Sequence, residues 1–179
     1  MSCHWYARDN DGNVYVVAEW YAAKQSLEYH SQKIKEISAR LNWHTDKYGR
    51  IEALIDSAAN QRTLNGQRSV AELFYEQGIA VNPRVNKDLY TGISKVKSLL
   101  KPALGPPKLF IFSCCTNMIR EIKGYFWGSG DSPVKRDDHA MDELRYYVCS
   151  LEDVATPKPQ KSAITIDKER LSRKLRQPN

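Results

Sequence analysis

The sequence predicts an α/β domain of three layers, in which a central mixed sheet is flanked by helices. Two observations predict this class. The N-terminal residues have the pattern of a β-hairpin, and short apolar runs then alternate with amphipathic helical patterns as far as about residue 150. The length of 179 residues favours a single domain.

The composition is typical of a globular chain, with 41% hydrophobic and 27% charged residues. No stretch approaches the roughly 18 consecutive apolar residues of a membrane span, and the first 20 residues have no signal-peptide pattern. We therefore expect a cytoplasmic protein with no membrane partner.

The first elements in chain order are a hairpin, a helix and a strand. Residues 6–8 and 14–20 flank the turn-forming residues 9–13 and are rich in aromatic and β-branched side chains. Residues 26–43 place four aliphatic side chains on one helical face. Residues 51–56 form a short apolar run that ends in an acid, which predicts a buried strand.

The alternation continues in the second half. Ser69 and Glu72 have the spacing of a capping box, which predicts a helix through Tyr75, and residues 79–82 predict a strand. The remaining predicted elements are a helix that ends at Lys101, a strand at 109–112, a helix capped by Thr116 and a last helix at 138–150.

The pattern is lost beyond residue 150. Residues 157–179 hold seven basic residues and two acids, and so carry most of the formal net charge of +6. We expect residues 1–150 to form the domain and residues 151–179 to form a flexible basic tail. The overall charge is therefore weak evidence for a nucleic-acid partner.

Several kinds of site are excluded by motif or spacing. The four cysteines contain no CxxC pair and are too few for a disulfide scaffold, so we expect reduced thiols. No GxSxG, HExxH or GxxxxGK[ST] pattern occurs, which excludes serine hydrolases, zincins and P-loop ATPases by motif. The isolated His4, His30 and His44 are interpreted as surface or packing residues.

Asp56 is the first candidate functional residue. It ends the apolar run 51–55 and is followed by the small residues 57–59. The carboxyl end of a central strand is where α/β folds present functional groups. The alternative is that Asp56 only caps the turn that follows. The sequence leaves both interpretations open.

A second acidic cluster lies at the start of the last predicted helix. Asp138 and Asp142 are four residues apart and share a helical face, and His139 lies three residues before Asp142. Acids in a first turn also complement the helix dipole, so Asp137 or Asp138 is a candidate cap. A cap needs only one acid, whereas this segment has three acids and a histidine.

Together these residues predict a site for Mg²⁺ or Mn²⁺. Carboxylates are hard oxygen ligands, and Mn²⁺ tolerates imidazole better than Mg²⁺ does. Two such ions, about 3.5–4 Å apart, would activate a water and stabilise the leaving oxygen of a phosphodiester. The candidate catalytic residues are Asp56, Asp138 and Asp142, and the candidate metal ligands are the same three acids and His139.

A basic stretch precedes this cluster. Residues 84–136 contain ten basic residues and three acids. Cations that bind phosphates beside carboxylates that bind metal are typical of a nuclease. A solvated charged surface is the alternative. The candidate DNA-binding residues are Arg84, Lys87, Lys95, Lys97, Lys135 and Arg136.

The segment from Asp137 to Tyr146 resembles the last motif of the nuclease domain of tailed-phage terminase large subunits. The segment from Ile55 to Ala58 resembles that domain's middle acidic motif, and the resemblance covers nearly all of residues 5–150. It implies an RNase H-like fold and a two-metal endonuclease that cuts concatemeric DNA during genome packaging in a bacterial host cell. It also implies the terminase ATPase domain, the small terminase subunit and the portal as partners.

The sequence departs from the family's pattern at the first acid. In the family that acid lies on a first strand upstream of where this chain starts, and Asp9 and Asp11 belong to the hairpin turn. The family's ATPase domain is also missing. We therefore expect an N-terminally truncated nuclease domain with weak or no activity of its own. The alternatives are a non-catalytic DNA-binding or motor-assembly module, and another RNase H-like nuclease such as a junction resolvase.

Overall fold

The N-terminal hairpin consists of antiparallel strands β1 (Ser2–Arg8) and β2 (Val14–Tyr21) in the computed structural model, which describes residues 1–61 and 68–151. In the turn, the Asp9 carboxylate accepts the backbone N–H groups of Asp11 and Asn13. The predicted hairpin is confirmed, and β1 begins earlier than expected because residues 2–5 also pair with β2.

Helix α1 (Leu27–Arg40) follows, and the Ser26 side chain caps it by accepting the backbone N–H of Tyr29. It ends three residues before the predicted Trp43. The reason is that Asn42 takes a left-handed conformation, with φ of 49°, which terminates the helix.

A parallel pair of strands comes next, β3 (Ile51–Leu54) and β4 (Ile79–Asn82). Helix α2 (Val70–Glu76) lies between them in the chain and begins with the predicted capping box. The side chain of Ser69 accepts the backbone N–H of Glu72, and the carboxylate of Glu72 accepts the backbone N–H of Ser69. A local sequence rule therefore predicted this helix start correctly.

The second half of the described chain adds three helices and a strand: α3 (Leu89–Leu100), β5 (Leu109–Ile111), α4 (Thr116–Gly124) and α5 (His139–Ser150). β5 pairs in parallel with β2.

The predicted Thr116 cap of α4 is wrong, because the N-cap position belongs to Cys115, which makes no side-chain capping bond. The Glu19 carboxylate of β2 accepts the backbone N–H groups of Asn117 and Met118 instead. A distant residue therefore replaces the local cap.

The predicted mixed sheet flanked by helices is confirmed, although its strands form two separate sheets. One has the order β1-β2-β5 and is mixed, and the other is the parallel pair β3-β4. Within the described residues no strand pairing joins the two sheets. β1 is consequently an edge strand.

Two apolar clusters hold the helices on the strands. The first packs α4 and α5 against β2 and β5, with Val16, Met118 and Leu144 fully buried. The second packs α1 and α2 against the hairpin, β3 and β4 around Trp5 and Phe74. The hairpin takes part in both clusters, so burial of apolar surface links the two halves of the domain.

The predicted C-terminal tail is not tested by the structure, because residues 152–179 lie beyond the described residues. In the described ranges no helix has the length and apolar character needed to cross a membrane. All four cysteines are free thiols, as expected.

Candidate active site

Asp56 lies two residues after β3, where a short 3₁₀ helix, Ser57–Asn60, begins. Its Oδ1 accepts the backbone N–H of Ala58 at 2.7 Å, so Asp56 does cap this turn. Lys87 Nζ also donates to Oδ1 at 2.6 Å, and the Tyr146 hydroxyl donates to Oδ2 at 3.0 Å. The same carboxylate therefore caps a turn and faces groups from two distant parts of the chain.

These contacts set the ionisation of Asp56. Partial burial opposes its charged form, but the hydrogen bonds from Lys87, the Ala58 N–H and Tyr146 outweigh burial and hold its pKa below the usual value. The pKa of Tyr146 moves the other way, because burial and its hydrogen bond to Asp56 both favour the neutral phenol. At neutral pH the pair is a carboxylate and a neutral donor.

Helix α5 supplies the second acidic group. Asp138 occupies the N-cap position, where its backbone oxygen accepts the N–H of Asp142 at 2.9 Å. Of the two candidate caps, Asp137 and Asp138, it is therefore Asp138 that holds the cap position, but its side chain makes no capping hydrogen bond. The Asp142 carboxylate forms an ion pair with Arg145 on the same helix. His139 is exposed at the first residue of α5.

One cleft brings three of the predicted site residues together. Asp56, His139 and Asp142 all line it, whereas Asp138 does not. Within the ranges 1–61 and 68–151, no group of three or more His, Cys, Asp or Glu side chains is placed to hold a metal ion.

The donors themselves suit Mg²⁺ or Mn²⁺, but Lys87 already neutralises Asp56 and Arg145 already neutralises Asp142. The arrangement of the described residues does not fit the predicted two-metal site.

Two further residues of the cleft, His4 and Glu143, form a pair that the sequence did not predict. Glu143 Oε2 lies 2.7 Å from Nδ1 of His4, and Glu19 Oε2 lies 3.4 Å from His4 Nε2. The His4 side chain is fully buried between them. Burial by itself lowers the pKa of His4, but its hydrogen bond and charge interaction with Glu143, supported by Glu19, raise it above 6.5. His4 is thus a buried, charge-paired residue that joins β1 to α5. Sequence spacing carries no signal for this pair.

Glu121 fixes the beginning of α5. Its side chain is fully buried on α4, and its Oε2 accepts the backbone N–H of Ala140 at 2.6 Å. Its Oε1 accepts the Tyr21 hydroxyl from the end of β2 at 2.8 Å. One carboxyl group therefore ties α4, α5 and β2 together, immediately beside His139.

The candidate DNA-binding residues do not form one uniform group. Lys87 is engaged by Asp56, and Lys95 is half-buried on α3. The others are exposed: Arg84, Lys97, Lys135 and Arg136. Lys87 is exposed as well but pairs with Asp56, and Arg136 Nε lies 3.9 Å from Asp137 Oδ2.

Comparison with known proteins gives no match to a family model and none to a curated protein. Two solved structures are similar. The large terminase of a thermophilic bacteriophage, solved in complex with ADP, has a TM-score of 0.64 and 22% identity. That match covers 84% of this chain and 36% of the terminase, so this chain spans about a third of that protein.

The nuclease domain of the P22 large terminase gives a TM-score of 0.63 at 17% identity. This match covers 83% of this chain and 73% of that domain. The fold predicted from the sequence is therefore confirmed: this chain has the RNase H-like α/β fold of phage large-terminase nuclease domains.

Proposed function

We propose that this chain is the nuclease domain of a phage DNA-packaging terminase large subunit and that its substrate is double-stranded DNA. One observation carries the proposal. Asp56 and Asp142, one acid from each of the two motifs that resemble terminase nucleases, line a single cleft in a fold shared with the P22 nuclease domain. The proposed reaction is hydrolysis of a phosphodiester.

The residues of this chain have distinct proposed roles. Tyr146 and the Ala58 N–H hold Asp56 ionised at the cleft. The exposed basic residues, Arg84, Lys97, Lys135 and Arg136, contact backbone phosphates, which fix the register of the duplex without reading its sequence. The terminase ATPase domain, the small subunit and the portal are the proposed partners of the parent assembly.

We further propose that cleavage by this chain alone is weak. The cleft brings two aspartates and a histidine together, and each aspartate is paired with a basic side chain. A productive Mg²⁺ or Mn²⁺ site would need another acidic ligand and displacement of Lys87 from Asp56.

A plasmid-nicking assay tests the proposal. Supercoiled plasmid is incubated with the full chain and Mn²⁺ or Mg²⁺, and with two matched variants. We expect slow, metal-dependent nicking that Asp56→Ala abolishes and that Glu36→Ala, an exposed substitution on α1, leaves unchanged. Nicking that persists in Asp56→Ala would refute the assigned site. Preference for four-way junctions over linear duplex would indicate a junction resolvase instead.

The second candidate is a non-catalytic DNA-binding or motor-assembly module. The observation that favours it is the neutralisation of both acids, Asp56 by Lys87 and Asp142 by Arg145. Calorimetric titration with Mn²⁺ separates the two candidates. A nuclease domain should show saturable binding that Asp56→Ala weakens, whereas a binding module should bind duplex DNA without a saturable Mn²⁺ site.

A further inference from the structure

Two exposed aromatic rings stack on each other near the cleft. The rings of Tyr90, in the first turn of α3, and Trp127 have centroids 6.0 Å apart and planes 22° apart. Tyr90 is 57% exposed and Trp127 is 43% exposed. Stacked aromatic pairs are stabilising chiefly when their apolar surface leaves contact with water. This pair therefore keeps a large ring surface that a ligand could cover.

Backbone and side-chain hydrogen bonds hold this pair in place. Trp127 lies in a short hairpin, in which the N–H of Val134 donates to the backbone oxygen of Phe126 at 3.0 Å. The Tyr90 hydroxyl donates to the backbone oxygen of Asp131, in the turn of the same hairpin, at 2.7 Å. Because both rings are fixed in advance, little conformational entropy is lost when a ligand binds to them.

The pair lies close to the candidate active site. Tyr90 comes three residues after Lys87, which donates to Oδ1 of Asp56 at 2.6 Å, and three residues span at most about 11 Å. The hairpin leads into α5, whose first residue, His139, lines the cleft. A nucleic-acid strand that reaches Asp56 can therefore also reach the aromatic pair.

The chain around Trp127 is basic. Residues 123–136 contain three basic side chains, all exposed, and one acid: Lys123, Lys135, Arg136 and Asp131. Arg136 also lies 3.9 Å from Asp137, but both side chains are largely exposed, and such pairs are weak. Exposed rings beside cations are typical of sites for single-stranded nucleic acid, where the rings stack on bases and the cations contact phosphates. Charge therefore favours a nucleic acid over an apolar protein segment.

Another stacked pair, Tyr15 and Phe110, has a different electrostatic environment. Its ring centroids are 5.2 Å apart, and Phe110 is 41% exposed. The Tyr15 hydroxyl donates to the Asp9 carboxylate at 3.0 Å, so a negative charge, which repels phosphates, lies beside this pair. Phe110 is therefore a matched control for Trp127.

We propose that Tyr90 and Trp127 form an aromatic platform on which unpaired bases of single-stranded DNA stack beside the cleft. Bases within a duplex already stack on their neighbours, so only an unpaired base can place its ring face against Trp127. Lys123, Lys135 and Arg136 contact the phosphates of the same strand. The inference rests on the proposed function for the polymer, DNA, and adds that the strand beside the cleft is unpaired.

Binding of oligonucleotides to the full chain, measured by fluorescence anisotropy without added metal, tests the platform. The probes are a labelled oligothymidylate, an abasic strand of the same length that has phosphates but no bases, and a fully paired duplex. We expect Trp127→Leu to weaken binding of the oligothymidylate about tenfold, because one stacked base contributes on that order. Binding of the abasic strand and of the duplex should change by less than about twofold, since neither presents a free base to Trp127.

Conservative variants separate the rings from other effects. Trp127→Phe and Tyr90→Phe keep an aromatic ring and should retain most of the affinity for the oligothymidylate, whereas Tyr90→Leu should lower it. Phe110→Leu should bind all three probes like the wild type, and thermal unfolding shows whether each variant is folded. If Trp127→Leu weakened binding of the abasic strand as much as that of the oligothymidylate, the ring would not act by stacking and the proposal would be wrong.

The platform and the proposed function fail in different measurements. Asp56-dependent plasmid nicking, together with wild-type binding of the oligothymidylate by Trp127→Leu, would overturn the platform and retain the nuclease. Weakened binding by Trp127→Leu without any nicking would support the platform and overturn the proposed reaction. A wild-type chain that binds neither single-stranded probe would overturn the platform and assign the aromatic pair to a protein partner.

Discussion

Asp56 illustrates how one side chain takes several roles through its contacts. It caps a turn, pairs with Lys87 and accepts the hydroxyl of Tyr146. The local contact follows from neighbouring sequence, whereas the other two join residues 31 and 90 positions away. Its chemical state is therefore decided by parts of the chain that only the fold brings together.

Replacement of Glu121 by alanine should destabilise the domain. The change removes the acceptor for the Ala140 N–H and the Tyr21 hydroxyl in a buried place, which costs about 1–3 kcal/mol. Urea unfolding measures this loss.

Glu121→Gln should lose less stability than Glu121→Ala. The amide oxygen still accepts the Ala140 N–H, and the amide nitrogen can donate to the Tyr21 hydroxyl. Glu36→Ala on the exposed face of α1 should leave the free energy of unfolding nearly unchanged. Equal losses for the alanine and glutamine variants of Glu121 would contradict the assigned hydrogen bonds.

His4 should make stability depend on pH. Its pKa in the folded state is raised above 6.5 because Glu143 and Glu19 outweigh its burial. The protonated form therefore contributes stability that is fully present below pH 6.5 and is lost as the pH rises through the folded pKa.

The measurement is urea unfolding between pH 5.5 and 8.5 for wild type and His4→Gln. The His30 pKa is lowered, chiefly by burial, so His30 acts in the opposite direction, and only the difference between the two proteins isolates His4. We expect that difference to shrink as the pH rises. A difference that is constant over this range would contradict the buried ion pair.

At the scale of elements, most helix and strand starts follow from short-range rules. The capping box at Ser69 is formed as its local pattern predicts, and the cap at Ser26 is also a local contact. α4 and α5 are the exceptions, because Glu19 of β2 and Glu121 of α4 accept their first backbone N–H groups in place of a local cap. An element's type is therefore readable from its own residues, but its capping partner is not always among them.

The contact between α3 and α5 should be sensitive to a single methyl group. A Cβ built on Gly92 would lie 3.0 Å from Cβ of Arg145 and 3.1 Å from its Cγ. Because Cβ is fixed to the backbone of α5, Gly92→Ala should push the helices apart and cost about 1–3 kcal/mol in the free energy of unfolding.

Gly124→Ala is the matched control at the last residue of α4, since a Cβ there meets nothing within 4 Å. This change should be neutral or stabilising by up to about 1 kcal/mol. Thermal unfolding of both variants checks the comparison. If Gly92→Ala were as stable as Gly124→Ala, the packing of α3 on α5 would be looser than described.

At the scale of the whole molecule, the hairpin links two apolar clusters. Val14 and Val16 belong to the cluster with α4 and α5, whereas Trp5 and Ala18 belong to the cluster with α1 and α2. The pairing register shifts between Trp5 and Tyr6, where the hairpin passes from one cluster to the other. The two sheets are thus held in one domain by side-chain packing around β1 and β2.

DNA binding, if it uses the exposed basic residues, should depend steeply on salt. Neutralising phosphates releases counterions, so affinity for duplex DNA should fall linearly on a log–log plot against salt concentration. Lys135→Ala and Arg136→Ala should each reduce that slope by about 1.

Lys33→Ala serves as the control, because Lys33 lies on α1 and is paired with Glu36. Fluorescence anisotropy with a labelled duplex, at salt concentrations from about 50 to 300 mM, measures the slope of log affinity against log salt concentration. Identical slopes for Lys33→Ala and Arg136→Ala would exclude a specific phosphate contact at Arg136.

The sequence by itself determined the hairpin, the alternation of strands and helices, and the two acidic motifs. These depend on residues within a few positions of each other, through turn-forming residues, capping pairs and the period of apolar side chains. The sequence also predicted that Asp56 and Asp142 share a functional site at a strand end; both line one cleft, and their roles there stay a prediction.

Only the tertiary structure decided how Asp56 is neutralised and what surrounds both acids. The Lys87–Asp56 pair and the burial of His4 against Glu143, 139 positions away, depend on which elements pack together. The division of the strands into two sheets with a cleft between them is likewise invisible in the sequence. The Lys87–Asp56 pair and the strand neighbours are set by long-range packing, about which local sequence patterns contain no information, whereas the Asp142–Arg145 pair lies within one helix.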